Sequence, residues 1–546
     1  MRCESRQYTF VIVTGGLRAH NVRVREPCDV RTERLSNAVM TPGGRTIRPM
    51  DVGPNIDYLE NGYMTAEVAT GAASFGSHFH LLIGGELVDG EESLEVINPA
   101  TGAVFAHCPA AGKAQLEHAI VTARRAGAAW GAKSFEERAA AIKVMAAVLR
   151  ANQDSLAELL TREQGKPVGQ SRDEIGRAAS QSEGMAAIPV PVEKLVEDAE
   201  RRIELHYRPL GVVGIITPWN APINLAAGPL VAALYTGNTV ILKPSPYTPL
   251  CTLKLGELLR DVFPPGVLNI LAGGDELGQW MTEAVGIDKI SFTGSVATGK
   301  KVMASAAGTL KRVTLELGGN DAAIVLDDVD PKTVAPKLFF ASFVNSGQVC
   351  MAIKRIYAHE RIYDALCDAL AEEARKARVG DGLDPQTQYG PIQNRKQYER
   401  VVGILEDTKR SGARILAGGE VPSRAGYFFP PTIVANIDEH SRLVREEQFG
   451  PIVPVLKFTA IDDAVRRAND TRYGLAGSVW SRYPERAAGI AARLEVGTAW
   501  VNQHRATSAT VPFGGAKESG IGRQYSILGL KENMEAQVIS VLKQPM

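Results

Sequence analysis

The stretch "GVVGIITPWNAPINLAAGPLVAALYTGNTVILKPS", residues 211–245, decides the fold class of this chain. It begins with an apolar, β-branched run, continues through a helix-forming segment, "INLAAGPLVAALYTG", and ends on a second apolar run, "TVILKPS". Two apolar runs separated by about one helix are typical of neighbouring parallel strands that are joined by a helical crossover. Both runs are apolar on either face, which is expected of strands covered by helices on both sides.

The alternation continues on the C-terminal side of this stretch. The predicted strand "GVLNILAGG" is followed by the helix "DELGQWMTEA", and the strand "DKISFTGS" is followed by the helix "ATGKKVMASAA". The strand "RVTLELGG" ends this first alternation. A second alternation begins with "DAAIVLDD" and "RIYAHERIYD". The sequence therefore predicts an α/β fold with two doubly wound parallel-sheet domains. The last apolar segment, "EAQVISVLKQ", has no partner beside it in sequence, so we expect it to belong to a small β element used in oligomerisation.

The composition argues against several classes of protein. Lys and Arg (61) balance Asp and Glu (61), so no net charge favours a nucleic acid or an anionic membrane surface. No apolar run approaches the ~20 residues that a membrane-spanning helix needs. The six cysteines are scattered without a CxxC pair or metal-ligand spacing. We expect a cytoplasmic protein in a reducing compartment, with no metal site and no nucleic-acid or membrane partner.

Ligands of doubly wound sheets bind beyond the carboxyl ends of the parallel strands. The residues predicted to lie there are Trp219, Lys243, Gly274, Ser295 and Glu316. The turn "FTGSVATGK" enters a helix whose free N–H groups suit a phosphate, but two glycines in such a turn do not decide the matter alone. A single lysine at the end of a strand is likewise more often solvated than bound to a ligand.

Two residues carry the chemistry. Cys350 stands in "NSGQVCMAIKR" (345–355), with flexible, polar residues before it and a basic segment after it that favours the thiolate. Glu316 ends an apolar strand before two glycines, where desolvation raises the pKa of a carboxyl toward that of a general base. A lone cysteine is more often inert, and a lone buried glutamate is often part of an ion pair. Together they suit thiolate addition to a carbonyl, hydride loss to a nicotinamide and hydrolysis of the resulting thioester.

From about residue 78 to its end, the chain resembles the aldehyde dehydrogenase superfamily. "ELGGND" (316–321) and "NSGQVC" (345–350) are similar to the family's glutamate and cysteine motifs, and they are separated as in the family. The other matching motifs follow in the family's order: "PWNAP" (218–222), "KPSP" (243–246), "FTGS" (292–295), "EEQFGPIVPV" (446–455) and "PFGGAKESGIGR" (512–523).

The resemblance implies a role for individual residues. Cys350 would be the nucleophile and Glu316 the base for deacylation, while Asn220 and the backbone N–H of Cys350 would form the oxyanion hole. NAD, with NADP as the alternative, would be bound by Ile216, Trp219, Lys243, Gly274, Gly278, Phe292, Thr293, Gly294, Ser295, Leu317, Glu447 and Phe449. The aldehyde would lie against Ala221, Leu225, Gly228, Val349, Met351, His504 and Phe513.

Several positions depart from the family's pattern. Pro246 replaces a glutamate that grips the ribose hydroxyls in many NAD-preferring members, so we expect only a mild preference for NAD over NADP. Gln524 and Pro229 replace a glutamate and a lysine that relay protons, which leaves base catalysis to Glu316.

Other departures concern the substrate. Ala221 and Gly228 replace bulky aromatics found in relatives that act on small aldehydes, which predicts a wide tunnel and an aromatic or medium-chain aldehyde. His504 and Arg505, near the tunnel mouth, are interpreted as more typical of a solvated loop than of substrate contacts.

The resemblance also implies a division of the chain. Residues 78–190 and 211–316 would form the NAD(P)-binding domain and residues 317–525 the catalytic domain, whereas residues 1–77 are expected to be a disordered extension. Residues 191–210 and 526–546 would form the oligomerisation element of a homotetramer or homodimer. Two alternatives remain at this point: a CoA-acylating aldehyde dehydrogenase, which generally lacks the glutamate base, and a catalytically silent scaffold on the same fold.

Overall fold

The computed structural model describes residues 10–12, 20–22 and 77–544. Strands Phe10–Ile12 and His20–Val22 pair antiparallel as a short two-stranded sheet. The prediction of a disordered extension over residues 1–77 otherwise concerns residues outside those described. All elements named below belong to residues 77–544.

An eight-stranded sheet forms the centre of the first α/β layer. Its five middle strands are parallel, and antiparallel strands close both edges. The order across the sheet is Gly520–Ile521, Arg312–Glu316, Lys289–Thr293, Val212–Ile216, Thr239–Lys243, Leu268–Ile270, Leu81–Ile83 and Glu86–Val88. The middle strands are buried on both faces because helices cover the sheet on both sides, as the apolar runs predict.

The strand order reverses beside Val212–Ile216. From this strand the chain moves outward to Thr239–Lys243 and Leu268–Ile270, and it then crosses to the opposite side for Lys289–Thr293. Strands Val212–Ile216 and Lys289–Thr293 are hydrogen-bonded neighbours, with Ile216 paired to Phe292. The connections leave the carboxyl ends of these two strands in opposite directions, so a crevice opens between them, which is where ligands of such sheets bind.

Eight helices accompany this sheet in sequence. The first four precede the parallel strands and are amphipathic, as their sequence predicts, and the second of them begins with a capping box between Ser134 and Glu137. The helices are Lys113–Gly131, Phe135–Ala151, Gln153–Gln164, Val168–Ala186, Pro222–Tyr235, Leu250–Leu259, Asp275–Glu283 and Val296–Ala307.

A seven-stranded sheet forms the second α/β layer. All its neighbouring strands are parallel except the first pair, which is antiparallel. The order across the sheet is Arg414–Ala417, Thr432–Ala435, Ile452–Phe458, Ile353–His359, Asp321–Val325, Ala476–Trp480 and Thr498–Val501. The helices in this half are Pro331–Phe343, the 3-10 helix Val344–Gly347, Glu360–Lys376, Arg395–Arg410, Arg442–Arg445, Ile461–Asn469 and Pro484–Ala491. The last helix, Ser526–Lys531, packs instead against helix Pro222–Tyr235 of the first half. The two sheets confirm the predicted α/β class with two parallel-sheet domains.

A three-stranded sheet holds the C-terminal segment. Met534–Leu542 pairs antiparallel along its whole length with Arg201–Pro209, which also pairs with Glu193–Glu197. The apolar segment that has no neighbour in sequence therefore finds its partner about 330 residues earlier, and its other edge has no strand beside it among residues 77–544.

Two short pairs complete the strands of residues 77–544. They are Glu92–Asn98 with Ala103–Ala110, and Tyr473–Gly474 with Ala516–Lys517. In the described residues, every helix is too short or too polar to cross a lipid bilayer.

Candidate active site

Cys350 follows a turn that is wound in the left-handed sense. Asn345, Ser346 and Gly347 have φ angles of 52°, 54° and 72°, in a region that non-glycine residues rarely occupy. A Cβ atom at Gly347 would lie 2.5 Å from the carbonyl oxygen of Gly450, so only glycine fits there. The polar residues before the cysteine, which the sequence singles out as flexible, are therefore held in one defined and strained conformation.

Side chains of the turn fix it to its surroundings. The Asn345 amide donates to the carbonyl oxygen of Asn220 (2.9 Å), and the Ser346 hydroxyl donates to the carbonyl oxygen of Gly390 (2.7 Å). Gln348 donates to the Asn345 carbonyl oxygen (2.9 Å) and accepts from the backbone N–H of Gln393 (2.8 Å). These bonds offset the strain of the turn and hold Cys350 at a fixed position between the two sheets.

Two hydrogen-bond donors lie beside the cysteine. The Asn220 side-chain nitrogen donates one N–H to the carbonyl oxygen of Gln348 (2.9 Å), which leaves its second N–H free. The backbone N–H of Cys350 has no acceptor among residues 77–544. Two such donors suit an oxygen that becomes negative when a nucleophile adds to a carbonyl group.

The loop that carries Asn220 is held by a buried ion pair. Lys166 pairs with Glu174, and its ammonium also donates to the Asn220 carbonyl oxygen (2.9 Å). The Glu174 carboxylate accepts from the backbone N–H groups of Ile223 (3.0 Å) and Asn224 (3.2 Å), at the start of helix Pro222–Tyr235. A carboxylate at a helix N-terminus satisfies free N–H groups and the positive end of the helix dipole. This support was not predicted from the sequence, although Glu174 occupies a core-facing position of an amphipathic helix, which is a detectable signal.

The environment of Cys350 is less favourable to a thiolate than its sequence indicates. Burial raises the pKa of the Cys350 thiol to about 12, with Glu447 and Glu316 adding to the rise and Lys354 opposing it. The Lys354 ammonium is buried and donates to the carbonyl oxygens of Val349 (2.8 Å) and Cys350 (2.7 Å). The basic residue after the cysteine therefore acts as predicted, but desolvation outweighs it, so Cys350 is mainly a thiol at neutral pH.

The raised thiol pKa predicts how Cys350 reacts with iodoacetamide. Below its pKa the thiolate fraction grows with pH, so alkylation is expected to accelerate about tenfold per pH unit between pH 7 and pH 9. Mass spectrometry of the Cys350 peptide after timed labelling measures this rate. The peptide of Cys367, which is fully buried, is the control and should label far more slowly. A plateau near pH 7 would show that the thiol is already ionised.

Glu316 is a buried carboxyl with an unused oxygen. It ends strand Arg312–Glu316, and its Oε1 atom is buried without a hydrogen-bond partner in the described part of the chain. Burial raises the pKa of Glu316 well above its ordinary value, and Arg523 opposes the shift. A Cβ atom at Gly514 would lie 2.9 Å from this oxygen, so the glycine leaves room beside it. The alternative of a structural ion pair does not apply, because Glu316 forms no salt bridge with the described residues and Arg523 acts on it only as a nearby charge.

The crevice at the reversal of the first sheet brings several predicted cofactor residues together. Ser295 caps helix Val296–Ala307 by accepting from the backbone N–H of Thr298 (3.1 Å), and the free N–H groups of that helix end lie beyond strand Lys289–Thr293. Gly294 and Gly299 allow close packing, since Cβ atoms there would lie 2.5 Å from side-chain atoms of Phe292 and Leu317. This end of the crevice fits a pyrophosphate.

Lys243 lies on the other side of the crevice. A Cβ atom at Gly278 would lie 3.9 Å from the Lys243 side chain and 4.0 Å from that of Ile216, whereas Gly274 faces open space. Lys243 is buried, and its ammonium has one long contact, to the carbonyl oxygen of Pro244 (3.4 Å). Burial lowers the pKa of Lys243 to about 8, opposed by Asp275. An ammonium with two unused N–H groups fits the hydroxyls of a ribose.

Glu447 and Phe449 border the crevice on the cysteine side. Glu447 accepts from the backbone N–H of Gly319 (2.9 Å), and burial raises the pKa of its carboxyl, with Lys354 opposing. The Phe449 ring packs edge-to-face against Trp219, with ring centroids 5.4 Å apart. Several of the predicted cofactor residues thus lie at the carboxyl ends of the parallel strands, where ligands of such sheets bind.

The tunnel predicted beside Cys350 is narrower at one point than expected. Ala221 begins helix Pro222–Tyr235, and Leu225 lies one turn later with its N–H bonded to the Ala221 carbonyl oxygen (2.9 Å). A Cβ atom at Gly228, however, would lie 3.3 Å from the hydroxyl of Tyr525. The expectation that Gly228 widens the tunnel is therefore wrong, because a residue distant in sequence fills the space.

Tyr525 is a residue that was not predicted from the sequence. Its side chain is buried and its φ angle is 58°, so the chain bends sharply to place it here. Burial raises the pKa of Tyr525 to about 12, and the charges of Glu316 and Cys350 add to the shift while Arg177 opposes it. No local pattern distinguishes this tyrosine, because its position depends on the hairpin between Phe513 and Gln524, whose backbones exchange hydrogen bonds of 2.9 and 2.7 Å.

The remaining predicted pocket residues divide into two groups. Val349 and Met351 flank Cys350 and are half-buried, and Phe513 packs in the core with Tyr525. His504 is different, because its side chain is 0% exposed. Its ring bonds to the Ser478 hydroxyl (2.9 Å) and to the Met351 carbonyl oxygen (3.1 Å). The interpretation of a solvated loop is therefore wrong for His504, which anchors its loop beside the cysteine.

Comparisons with known proteins agree on one family. The family model described as "Aldehyde dehydrogenase family" matches residues 87–539. Aldehyde dehydrogenase LUC3 of a Fusarium species is 37% identical over 467 residues, covering 85% of this chain and 99% of that protein.

Solved structures give the same result. The betaine aldehyde dehydrogenase of Staphylococcus aureus in complex with NAD+ is similar with a TM-score of 0.83 and 33% identity, over 86% of this chain and 96% of the other. A point mutant of an aldehyde dehydrogenase from Bacillus cereus is similar with a TM-score of 0.84 and 34% identity, over 86% and 97% of the two chains.

Proposed function

The chain belongs to the aldehyde dehydrogenase family, and we propose that it oxidises an aromatic or medium-chain aldehyde to the carboxylic acid. NAD is its hydride acceptor, with NADP as the alternative because Pro246 leaves no carboxylate at that position to repel a 2′-phosphate. One observation carries the proposal: Cys350, on a strained turn, shares its site with two free N–H donors and a buried carboxyl that has an unused oxygen.

The proposed reaction begins at sulfur. The Cys350 thiol loses its proton to solvent, and its sulfur forms a bond to the aldehyde carbon as the carbonyl π electrons move to oxygen. The Asn220 side chain and the Cys350 backbone N–H stabilise that oxygen. Bound NAD supplies a hydride acceptor, and loss of the hydride from the carbon leaves a thioester on Cys350.

Deacylation is assigned to Glu316. Its unused Oε1 oxygen can take a proton from a water molecule, whose oxygen then attacks the thioester carbon and expels the Cys350 sulfur. The raised pKa of the buried carboxyl supports this role, since a stronger base removes that proton more readily. Gln524 and Pro229 cannot relay protons, because neither side chain titrates. The proposal therefore assigns base catalysis in deacylation to Glu316.

A panel of aldehydes assayed with NAD and with NADP tests the proposed function. Formation of NADH or NADPH together with the free acid, at a rate independent of CoA, is the expected result. Product that appears as an acyl-CoA ester would instead indicate the CoA-acylating alternative. Absence of reduced cofactor with every aldehyde would favour the silent scaffold.

The substrate preference depends on the tunnel beside Ala221. Each buried methylene contributes about 0.8 kcal/mol, so benzaldehyde and octanal are expected to exceed acetaldehyde in kcat/KM by about tenfold or more. Ala221→Phe should lower kcat/KM for the two larger aldehydes about tenfold and leave acetaldehyde within about threefold. Gly228→Trp is unsuitable as a test, because Tyr525 occupies that space.

The matched control is Ala129→Phe, the same substitution at an exposed position of helix Lys113–Gly131. It should leave all three kcat/KM values unchanged. Equal kcat/KM values for acetaldehyde, benzaldehyde and octanal in the wild-type enzyme would contradict the wide tunnel.

We also propose a homodimer or homotetramer. Strand Met534–Leu542 has an open edge in the described part of the chain, and Val538 and Leu542 are 59% and 67% exposed on it. An open, apolar edge favours pairing with another copy. Light scattering should give two or four times the 58.7 kDa of one chain, and Val538→Lys should reduce that mass, unlike Val285→Lys at an exposed position elsewhere. A monomer mass for the wild-type protein would contradict the proposal.

A further inference from the structure

Arg505 is anchored beside the catalytic cysteine. The residue before it, His504, bonds to the carbonyl oxygen of Met351, which directly follows Cys350. Arg505 itself has a φ angle of 66°, a left-handed conformation that is costly for an arginine. A strained conformation next to an anchored residue fixes the direction in which the Arg505 side chain leaves the backbone.

The side chain runs between the cysteine and the protein surface. The Arg505 guanidinium carbon lies 5.9 Å from the ring centroid of Phe340, which is 57% exposed on helix Pro331–Phe343. A thiolate at Cys350 raises the pKa of Arg505, so the two side chains lie near each other. The guanidinium therefore lies between a ring that is exposed to solvent and the region of the catalytic cysteine.

No anion of the described chain neutralises this guanidinium. Arg505 forms no salt bridge with any residue of 77–544, and its buried Nε atom has no hydrogen-bond partner there. Burial lowers the pKa of Arg505 to about 10, and the Arg177 charge lowers it further. Since this value lies above 7, Arg505 stays positively charged at neutral pH. A partly desolvated guanidinium without a partner is unfavourable unless a ligand pairs with it.

Arg177 is a second cation in the same region. It lies on helix Val168–Ala186, one turn after Glu174, whose carboxylate accepts from the start of helix Pro222–Tyr235. Two turns further along the same face, a Cβ atom at Gly184 would lie 2.7 Å from Ala509, in the loop that carries Arg505. Arg177 is exposed and makes no salt bridge with the described residues, and its charge acts on both Arg505 and Tyr525.

Two like charges that approach each other without an intervening carboxylate destabilise the free protein and favour an anion between them. A guanidinium fork matches the two oxygens of a carboxylate. We infer that Arg505, assisted by Arg177, binds a carboxylate at the far end of the substrate, so the preferred aldehyde is an aromatic or medium-chain aldehyde acid. This inference rests on the proposed function and narrows its substrate class.

A pair of substrates of almost equal size tests the inference. 4-Carboxybenzaldehyde carries the anion, and methyl 4-formylbenzoate carries the neutral ester at the same position. We expect kcat/KM of the wild-type enzyme to favour the acid by about tenfold or more, and the preference to shrink as NaCl is raised. A wild-type enzyme that oxidises the ester as well as the acid would overturn the inference while leaving the proposed function intact.

Substitutions then assign the preference to the two arginines. Arg505→Met should lower kcat/KM for the acid about tenfold, mainly through KM, and leave the ester within about threefold. Arg505→Lys should retain part of the preference, since it keeps the charge but not the fork. An equal loss for both substrates in Arg505→Met would mean that Arg505 acts only in structure, and would overturn the inference.

Two further variants separate a specific role of the arginines from misfolding and from a change in net charge. Arg177→Met, at an exposed position, should reduce the preference in the same direction and by a smaller factor, even if Arg505→Met folds poorly. Arg125→Met removes one exposed charge from helix Lys113–Gly131 and should leave kcat/KM unchanged for both the acid and the ester. A matching loss of selectivity in Arg125→Met would trace the preference to net charge and overturn the assignment.

Binding of a product measures the same contact without turnover. Calorimetry should give a Kd for terephthalate at least about tenfold lower than for its monomethyl ester, and Arg505→Met should abolish the difference. Equal affinities in the wild-type protein would contradict a carboxylate site. If neither 4-carboxybenzaldehyde nor its ester is oxidised with NAD or NADP, the proposed function itself fails.

Discussion

Aldehyde oxidation is expected to fall by about three orders of magnitude or more when Cys350 is replaced by alanine. The substitution removes the sulfur that forms both covalent intermediates, and no other group at the site can form a thioester. Hydrolysis of an activated ester such as 4-nitrophenyl acetate should be lost in parallel, because it uses the same acyl-enzyme. Initial rates of NADH formation and of nitrophenolate release measure the two losses.

Two controls distinguish loss of the nucleophile from loss of cofactor binding or of folding. Affinity for NAD, measured by calorimetry, should stay within about threefold of wild type, since the crevice residues are unchanged. Cys367→Ala removes a thiol in the core of the second sheet, where burial raises its pKa to about 12, and should lower stability without lowering activity per folded molecule. Activity of Cys350→Ala within tenfold of wild type would exclude Cys350 as the nucleophile.

Glu316→Gln is expected to separate the two halves of the reaction. Hydride loss precedes the step that needs the base, so mixing with aldehyde and NAD should release about one NADH per active site and then stall. The steady-state rate should fall about 10²- to 10⁴-fold, the usual contribution of a general base. Stopped-flow absorbance gives the burst, and mass spectrometry of the quenched enzyme should show the acyl group on Cys350.

A second buried glutamate provides the control for Glu316. Glu163 is fully buried, and burial raises its pKa to about 8, but both its oxygens accept backbone N–H groups, from Leu250 (2.8 Å) and Cys251 (2.9 Å). Glu163→Gln should lower the melting temperature and keep normal turnover without a stalled burst. Loss of the burst in Glu316→Gln would instead assign Glu316 to removing the proton from Cys350, whose thiol pKa is raised by burial.

The sequence by itself was sufficient for the alternating strands and helices and for the residues at the ends of the strands. Apolar runs on both faces and helical periodicity are local properties, so residues 211–245 predict two strands and a crossover without knowledge of the rest. The left-handed turn before Cys350 also has a local signal, because asparagine and glycine tolerate positive φ. The family resemblance then assigned roles that the spacing alone left open.

Which side chains fill the site, and how strongly the pKa values of its groups are shifted, depend on the tertiary structure alone. Tyr525 occupies the space in front of Gly228, and His504 is buried against Met351, although neither pair is close in sequence. The pKa of Cys350 depends on how completely the two sheets desolvate it, which outweighs the nearby Lys354. Side-chain packing and desolvation each depend on many contacts between segments that are distant in sequence and meet only in the folded chain. A local sequence pattern therefore cannot predict them. For the same physical reason, it takes the positions of the surrounding carboxylates in space to recognise that Arg177 and Arg505 have no ion-pair partner in the described part of the chain.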